Sequence, residues 1–125
     1  MDKNNVQKNF KKISVYQFII TRIYYYLKMT EKWIGKIAIV TGSSSGIGYE
    51  IFKQFAMNQI ITIGIDIDVE NTQKLIDDLS ADSKVKSFVY ECDISKEDSV
   101  CDVFDEIEKK FNFVHILVNC AGIGR

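Results

Sequence analysis

From Lys36 onward the chain alternates between two hydrophobic rhythms. Short β-branched apolar runs at Lys36–Thr41 (KIAIVT), Ile60–Asp66 (IITIGID), Lys84–Cys92 and Val114–Asn119 (VHILVN) predict four strands. Between them the apolar residues fall at helical spacing. Gly46 to about Asn58 carries Ile47, Ile51, Phe52 and Phe55 on one face, and Val69 to about Ala81 carries Val69, Thr72, Leu75, Ile76 and Leu79. A third helix is expected from Ser95, because Ser95 and Asp98 have the S-x-x-[DE] form of a capping box. Its inner face would be Val100, Val103, Phe104, Ile107 and Phe111. No proline interrupts any of these segments.

Four strands alternating with three helices predict βαβ units, and hence a partial doubly wound parallel α/β sheet with helices on both faces. The expected strand order is 3-2-1-4. The unbroken apolar run Ile116–Val118 predicts a strand buried on both faces, although that order puts its backbone at an open edge.

Residues 1–28 do not share this rhythm. They hold six basic side chains (Lys3, Lys8, Lys11, Lys12, Arg22, Lys28) and one acid, Asp2, whereas the rest of the chain holds ten basic and sixteen acidic residues. This change of sign marks a boundary near Met29, with 1–28 an extension of unspecified order and 29–125 an incomplete dinucleotide-binding domain. The apolar run Val15–Leu27 spans 13 residues and contains Arg22. It falls short of the roughly 20 residues a bilayer span needs. No small-residue cleavage site follows it, which argues against a secretory signal. The plainer reading is a tail; contact with a membrane surface, or organelle targeting, is the alternative.

The whole chain has 125 residues, 46% hydrophobic and 26% charged, with a formal net charge of -1. That suits one soluble domain and gives no reason to expect a nucleic-acid partner. Cys92, Cys101 and Cys120 form no CxxC pair, and His115 is the only histidine, so no metal site is expected. Reduced thiols and a cytoplasmic location follow as expectations. His115 sits in an apolar run and reads as structural rather than catalytic.

Chemistry concentrates between the first strand and first helix, at Thr41-Gly42-Ser43-Ser44-Ser45-Gly46-Ile47-Gly48. Glycines here allow a sharp turn and let a pyrophosphate approach the backbone without a Cβ in its way. The helix that follows offers free N–H groups and the positive end of its dipole. Ser43, Ser44 and Ser45 add hydroxyl donors. A glycine pattern in this strand-to-helix context predicts a Rossmann-type nucleotide site. Asp66 ends the second strand 18 residues beyond Gly48, near the spacing of about 20 expected for an acid that binds the ribose hydroxyls. Its charge would repel a 2′-phosphate, and no Lys or Arg lies at 41–48 or 65–69. NAD is therefore expected over NADP. The alternative for Asp66 is a solvated acid beside Asp68.

These residues resemble the short-chain dehydrogenase/reductase family, and the resemblance runs from about Trp33 to Arg125. The family's TGxxxGxG loop matches Thr41 to Gly48, and its strand-ending Asp plus apolar residue matches Asp93 and Ile94. Its NNAG matches Asn119-Cys120-Ala121-Gly122, with Cys120 in place of the second Asn. The resemblance implies that Gly42, Ser44, Ser45, Gly46, Ile47 and Gly48 bind the cofactor together with Asp66. It also implies that the Asp93 carboxylate accepts from the adenine amino group beside the Ile94 backbone, and that Asn119, Ala121 and Gly122 line the adenosine-ribose side of the cleft. An NAD(P)-dependent oxidoreductase acting on a small hydrophobic alcohol or ketone, of prenol or steroid type, is what the resemblance suggests. An oligomer remains open.

Family catalysis uses a Ser, a Tyr-x-x-x-Lys pair and an Asn that follow the fourth strand, and the expectation is that Arg125 precedes all of them. Tyr24-x-x-x-Lys28 has the spacing but precedes the first strand. No catalytic residue is therefore assigned, and an inactive nucleotide-binding fragment is the alternative function. A methyltransferase using S-adenosylmethionine could also place an acid after its second strand, but the GxxxGxG spacing and Asn119–Gly122 oppose it. A P-loop nucleotidase fails because no Lys-Ser or Lys-Thr follows Gly48.

Overall fold

A computed structural model describes residues 3–80 and 86–122, with side chains from residue 15. It divides into two compact units, Met1–Trp33 and Ile34–Arg125.

The first unit is a helix, α1 (Lys3–Glu31). The sequence reading leaves 1–28 as an extension of unspecified order and places Met29–Glu31 with the domain, whereas the helix runs through that boundary. The helical form is consistent with the lack of glycine or proline between Lys3 and Glu31. Its last turn is closed by the Thr30 hydroxyl, which donates to the Leu27 carbonyl at 3.0 Å. Ile19, Ile20, Ile23, Tyr24, Tyr25, Tyr26 and Leu27 are exposed. Lys28 lies over the Tyr24 ring at 5.9 Å from its centroid, a cation–π contact. No helix among the described residues is long and apolar enough to cross a membrane.

The second unit is built on β1 (Ile37–Thr41), β2 (Ile61–Asp66), β3 (Phe88–Glu91) and β4 (Ile116–Asn119). All pairs are parallel, in the order β3-β2-β1-β4. The crossovers carry α2 (Gly46–Met57), α3 (Glu70–Ser80) and α4 (Glu97–Lys110). Alternation along the strands sends side chains to two different cores. Ile39, Ile63 and Ile65 meet Cys92 and the α4 residues Val103 and Ile107. A second cluster joins Phe52 and Ala56 of α2 to Leu75 of α3. The sheet is thus covered on both faces at its centre, which explains why β1 and β2 are mostly apolar, Thr41, Thr62 and the terminal Asp66 apart.

At the edges the structure departs from the sequence reading in four places. The third strand begins at Phe88, paired with Ile63, rather than at Lys84; residues 84 and 85 lie outside the described residues. The α4 capping box does not form. Lys96 occupies the N-cap with no side-chain bond, because the Ser95 hydroxyl donates to Asp93 Oδ1 at 2.6 Å instead. Phe104 is 39% exposed; it lies one residue, about 100° of helix, from the stripe through Val103 and Ile107. In β4, Ile116 and Val118 are half-buried while Leu117 is 54% exposed. Among the described residues β4 has a single strand neighbour, β1, so fewer side chains flank it and its apolar run does not mean burial on both faces.

β4 is fastened at its start by His115. The His115 N–H donates to the Ile37 carbonyl at 2.8 Å, and its Nδ1 accepts the Ile37 N–H at 3.1 Å. The imidazole is a structural bracket, as its place in the apolar run suggests.

Candidate functional site

The C-terminal ends of the four parallel strands carry the polar residues. Thr41 closes β1, and the chain turns at Gly42, with φ at +69°, before a second positive φ of +56° at Gly46. A side chain at Gly42 would be strained there, and its Cβ would lie 2.8 Å from the Ala121 nitrogen. A Cβ at Gly48 would overlap the Gly42 carbonyl oxygen. These two glycines let the turn, the start of α2 and the segment after β4 pack against one another. Above Gly46 a Cβ would meet nothing within 4 Å, so that side of the turn is open.

Ser45 is the N-cap of α2 but makes no side-chain capping bond. The Tyr49 N–H donates to the Ser45 carbonyl, leaving the N–H groups of Gly46, Ile47 and Gly48 without intrahelical partners. A helix start of this kind favours an anion.

Asp66, at the end of β2, stands against this turn. Its Oδ2 accepts the Ser44 N–H at 3.0 Å, and Oδ1 accepts the Asp68 N–H at 3.3 Å. Each oxygen keeps a further lone pair. The carboxylate is thus tied both to the glycine turn and to the Asp68 backbone. Beyond β2 and β3 lies an open pocket of about 560 Å³, lined by Ile67, Glu91, Cys92, Asp93, Lys96 and Ser99. Asp93 Oδ1 accepts both the Ser95 hydroxyl at 2.6 Å and the Ser95 N–H at 3.0 Å. Lys96 lies 3.5 Å from Oδ2. The Ser95 hydroxyl chiefly, then the Ser95 N–H and the Lys96 charge, hold the Asp93 carboxyl below the usual aspartate range. Ile94 beside it is exposed.

Asn119, the last residue of β4, is exposed, and beyond it Ala121 is half-buried and Gly122 exposed. The Thr41 hydroxyl oxygen accepts the Cys120 and Ala121 N–H groups, both at 3.1 Å. Gly42, Ser44, Gly48, Asp66, Cys120 and Ala121 are thereby joined in one constellation, with Asp93 on the pocket beyond β2.

One part of the sequence reading is corrected here. The hydroxyls of Ser43 and Ser44 do not face outward; both are hydrogen-bonded to the buried Thr72 hydroxyl of α3. Only Ser45 of the three is exposed. Asn71 is a polar contributor that sequence reasoning passed over, and Thr41 and Thr72 enter it only as a motif residue and a helix-face residue, without these hydrogen bonds. The signal for Thr72 was a hydroxyl on the otherwise apolar face of its helix.

A parallel sheet in this order, with a glycine turn leading into a helix and an acid closing the adjacent strand, defines the Rossmann-type α/β class. Residues 36–125 match the family described as short chain dehydrogenase. The chain belongs to the short-chain dehydrogenase family. It is 41% identical over 95 residues to a farnesol dehydrogenase of Aedes aegypti, covering 76% of this chain and 39% of that protein. Among solved structures it resembles a hydroxysteroid dehydrogenase from Escherichia coli, with TM-score 0.67 and 33% identity over 74% of this chain and 39% of the other. It also resembles L-sorbose reductase from Gluconobacter frateurii, complexed with NADPH and L-sorbose. There the TM-score is 0.68 at 30% identity, covering 74% of this chain and 35% of that one. The chain thus spans well under half the length of these relatives.

Proposed function

We propose that this chain supplies the dinucleotide-binding half of an oxidoreductase acting on small hydrophobic alcohols or ketones. The observation that carries this reading is the Asp66 carboxylate held against the glycine turn by the Ser44 N–H. The residues present suit a nicotinamide dinucleotide. Unpartnered N–H groups at Gly46–Gly48 suit the pyrophosphate, and the open side of Gly46 leaves room for it. Asp66 would accept from the adenosine ribose hydroxyls. Asp93 and Ile94 would flank the adenine, with Asn119, Ala121 and Gly122 on the ribose side of the cleft. The nicotinamide, when bound, supplies or takes the hydride; these residues hold and orient the nucleotide end. The likeness to farnesol dehydrogenase supports an apolar alcohol as substrate.

We further propose NAD as the preferred cofactor, although the sorbose reductase relative is complexed with NADPH. A 2′-phosphate would fall beside the Asp66 carboxylate, with no Lys or Arg at 41–48 or 65–69 to neutralise it. Calorimetric titration should give tighter binding of NAD than of NADP, and Asp66→Ala should narrow that gap at least tenfold, the scale of one unfavourable charge contact. Equal or tighter NADP binding by the unmodified chain would refute the preference.

A further inference from the structure

Gly42 is followed by three serines with identical donors, yet the fold gives them different surroundings. Ser43 is fully buried, with its hydroxyl 3.1 Å from Thr72 Oγ1. It packs over Gly64, where any Cβ would come within 2.5 Å of the Ser43 hydroxyl. The Ser44 hydroxyl, also buried, lies 2.7 Å from the same Thr72 oxygen. Thr72 itself has no exposed surface. Three buried hydroxyls therefore satisfy one another, and removing the central one leaves two polar groups to find new partners without water. Asn71, the preceding residue of α3, donates from Nδ2 to the Ser44 carbonyl at 3.1 Å. The Ser44 N–H is taken by Asp66. Every polar group of Ser44 is thus engaged by α3 or β2, and the next residue, Ser45, is exposed with no capping bond.

We infer that Thr72, assisted by Asn71, is a positioning residue for the glycine turn. It draws the Ser43 and Ser44 hydroxyls to the protein side and so presents the Ser45 hydroxyl, with the α2 N–H groups, to the phosphates. This rests on the proposed nucleotide function and deepens it, since phosphate recognition depends on a residue of α3 that touches no ligand. Adenosine recognition depends instead on Asp66 and the pocket beyond β2. Disturbing Thr72 therefore has a signature that general loss of structure lacks: phosphate-dependent affinity falls while adenosine affinity is kept.

The test is calorimetric titration of the 125-residue chain with adenosine and with ADP, alongside thermal melts. Thr72→Val keeps the shape and removes the hydroxyl. It should weaken ADP about fivefold, the weight of one hydrogen bond, and leave adenosine within about twofold, the scatter of such a measurement. Thr72→Ser restores the hydroxyl and should bind ADP as the unmodified chain does. Ser45→Ala should lose ADP affinity selectively with an unchanged melt, and it carries the test should Thr72→Val fail to fold. ADP affinity unchanged in Ser45→Ala or in folded Thr72→Val would overturn the inference. So would equal losses for adenosine and ADP, or a failure of Thr72→Ser to restore binding. An unmodified chain that binds neither ligand would instead bring down the proposed function, and this inference with it.

Discussion

Thr41 shows how a single side chain organises the end of a sheet. Its oxygen receives two N–H groups from the segment after β4, which otherwise has no strand partner on that side of β1. Thr41→Val is nearly isosteric but orphans both donors in a part-buried place. It should cost about 2 kcal/mol in urea denaturation, whereas Thr41→Ser should cost well under about 1 kcal/mol; equal effects of the two would show that the methyl, not the oxygen, matters. Asp93 makes a pH-dependent contribution. Its folded carboxyl titrates below the ordinary aspartate value of 3.8, so the stabilisation is present above that value and lost as pH falls through the folded one. The stability difference between the unmodified chain and Asp93→Asn should therefore shrink on going from about pH 6 to about pH 3. A difference that grows on acidification would contradict the assigned partners. Residue types and spacing pointed to Gly42, Gly48 and Asp66 as candidates, and the family resemblance to Asp93. The directions of the serine hydroxyls were not legible, because they depend on Thr72, 28 residues from Ser44.

At the scale of elements, legibility followed burial. β1 and β2 are covered on both faces, so their apolar runs carried through, each strand starting one residue later than read, at Ile37 and Ile61. The edge strands β3 and β4 took their lengths and exposure from how much neighbour they have, which no local pattern records. Ser95 matched a cap but sits two residues from Asp93, and the shorter-range hydrogen bond won. The cysteines report on these elements directly. Cys92 lies buried after β3, Cys101 is exposed on α4, and Cys120 is intermediate after β4. Labelling with a thiol reagent should modify Cys101 first, Cys120 more slowly and Cys92 only on unfolding. Cys120 borders the glycine turn, its Cβ 3.1 Å from where a Cβ on Gly48 would lie. Bound NAD should therefore slow Cys120 and leave Cys101 unaffected. Rapid labelling of Cys92 in the folded chain would contradict the packing of β3 against α4.

For the whole molecule, the polar constellation lies at the C-terminal ends of a four-stranded parallel sheet. The chain covers 39% of the farnesol dehydrogenase relative, and the nucleotide role proposed for it rests on the residues at these strand ends. The central claim is that Gly42–Gly48, Asp66, Asp93–Ile94 and Asn119–Gly122 form one dinucleotide cleft. The direct measurement is amide chemical-shift mapping of the isotopically labelled chain titrated with NAD. Saturable shifts should gather at those four segments and be sparse on the outer face of α4. Absence of saturable shifts, or shifts confined to residues away from the glycine turn and Asp66, would contradict the account.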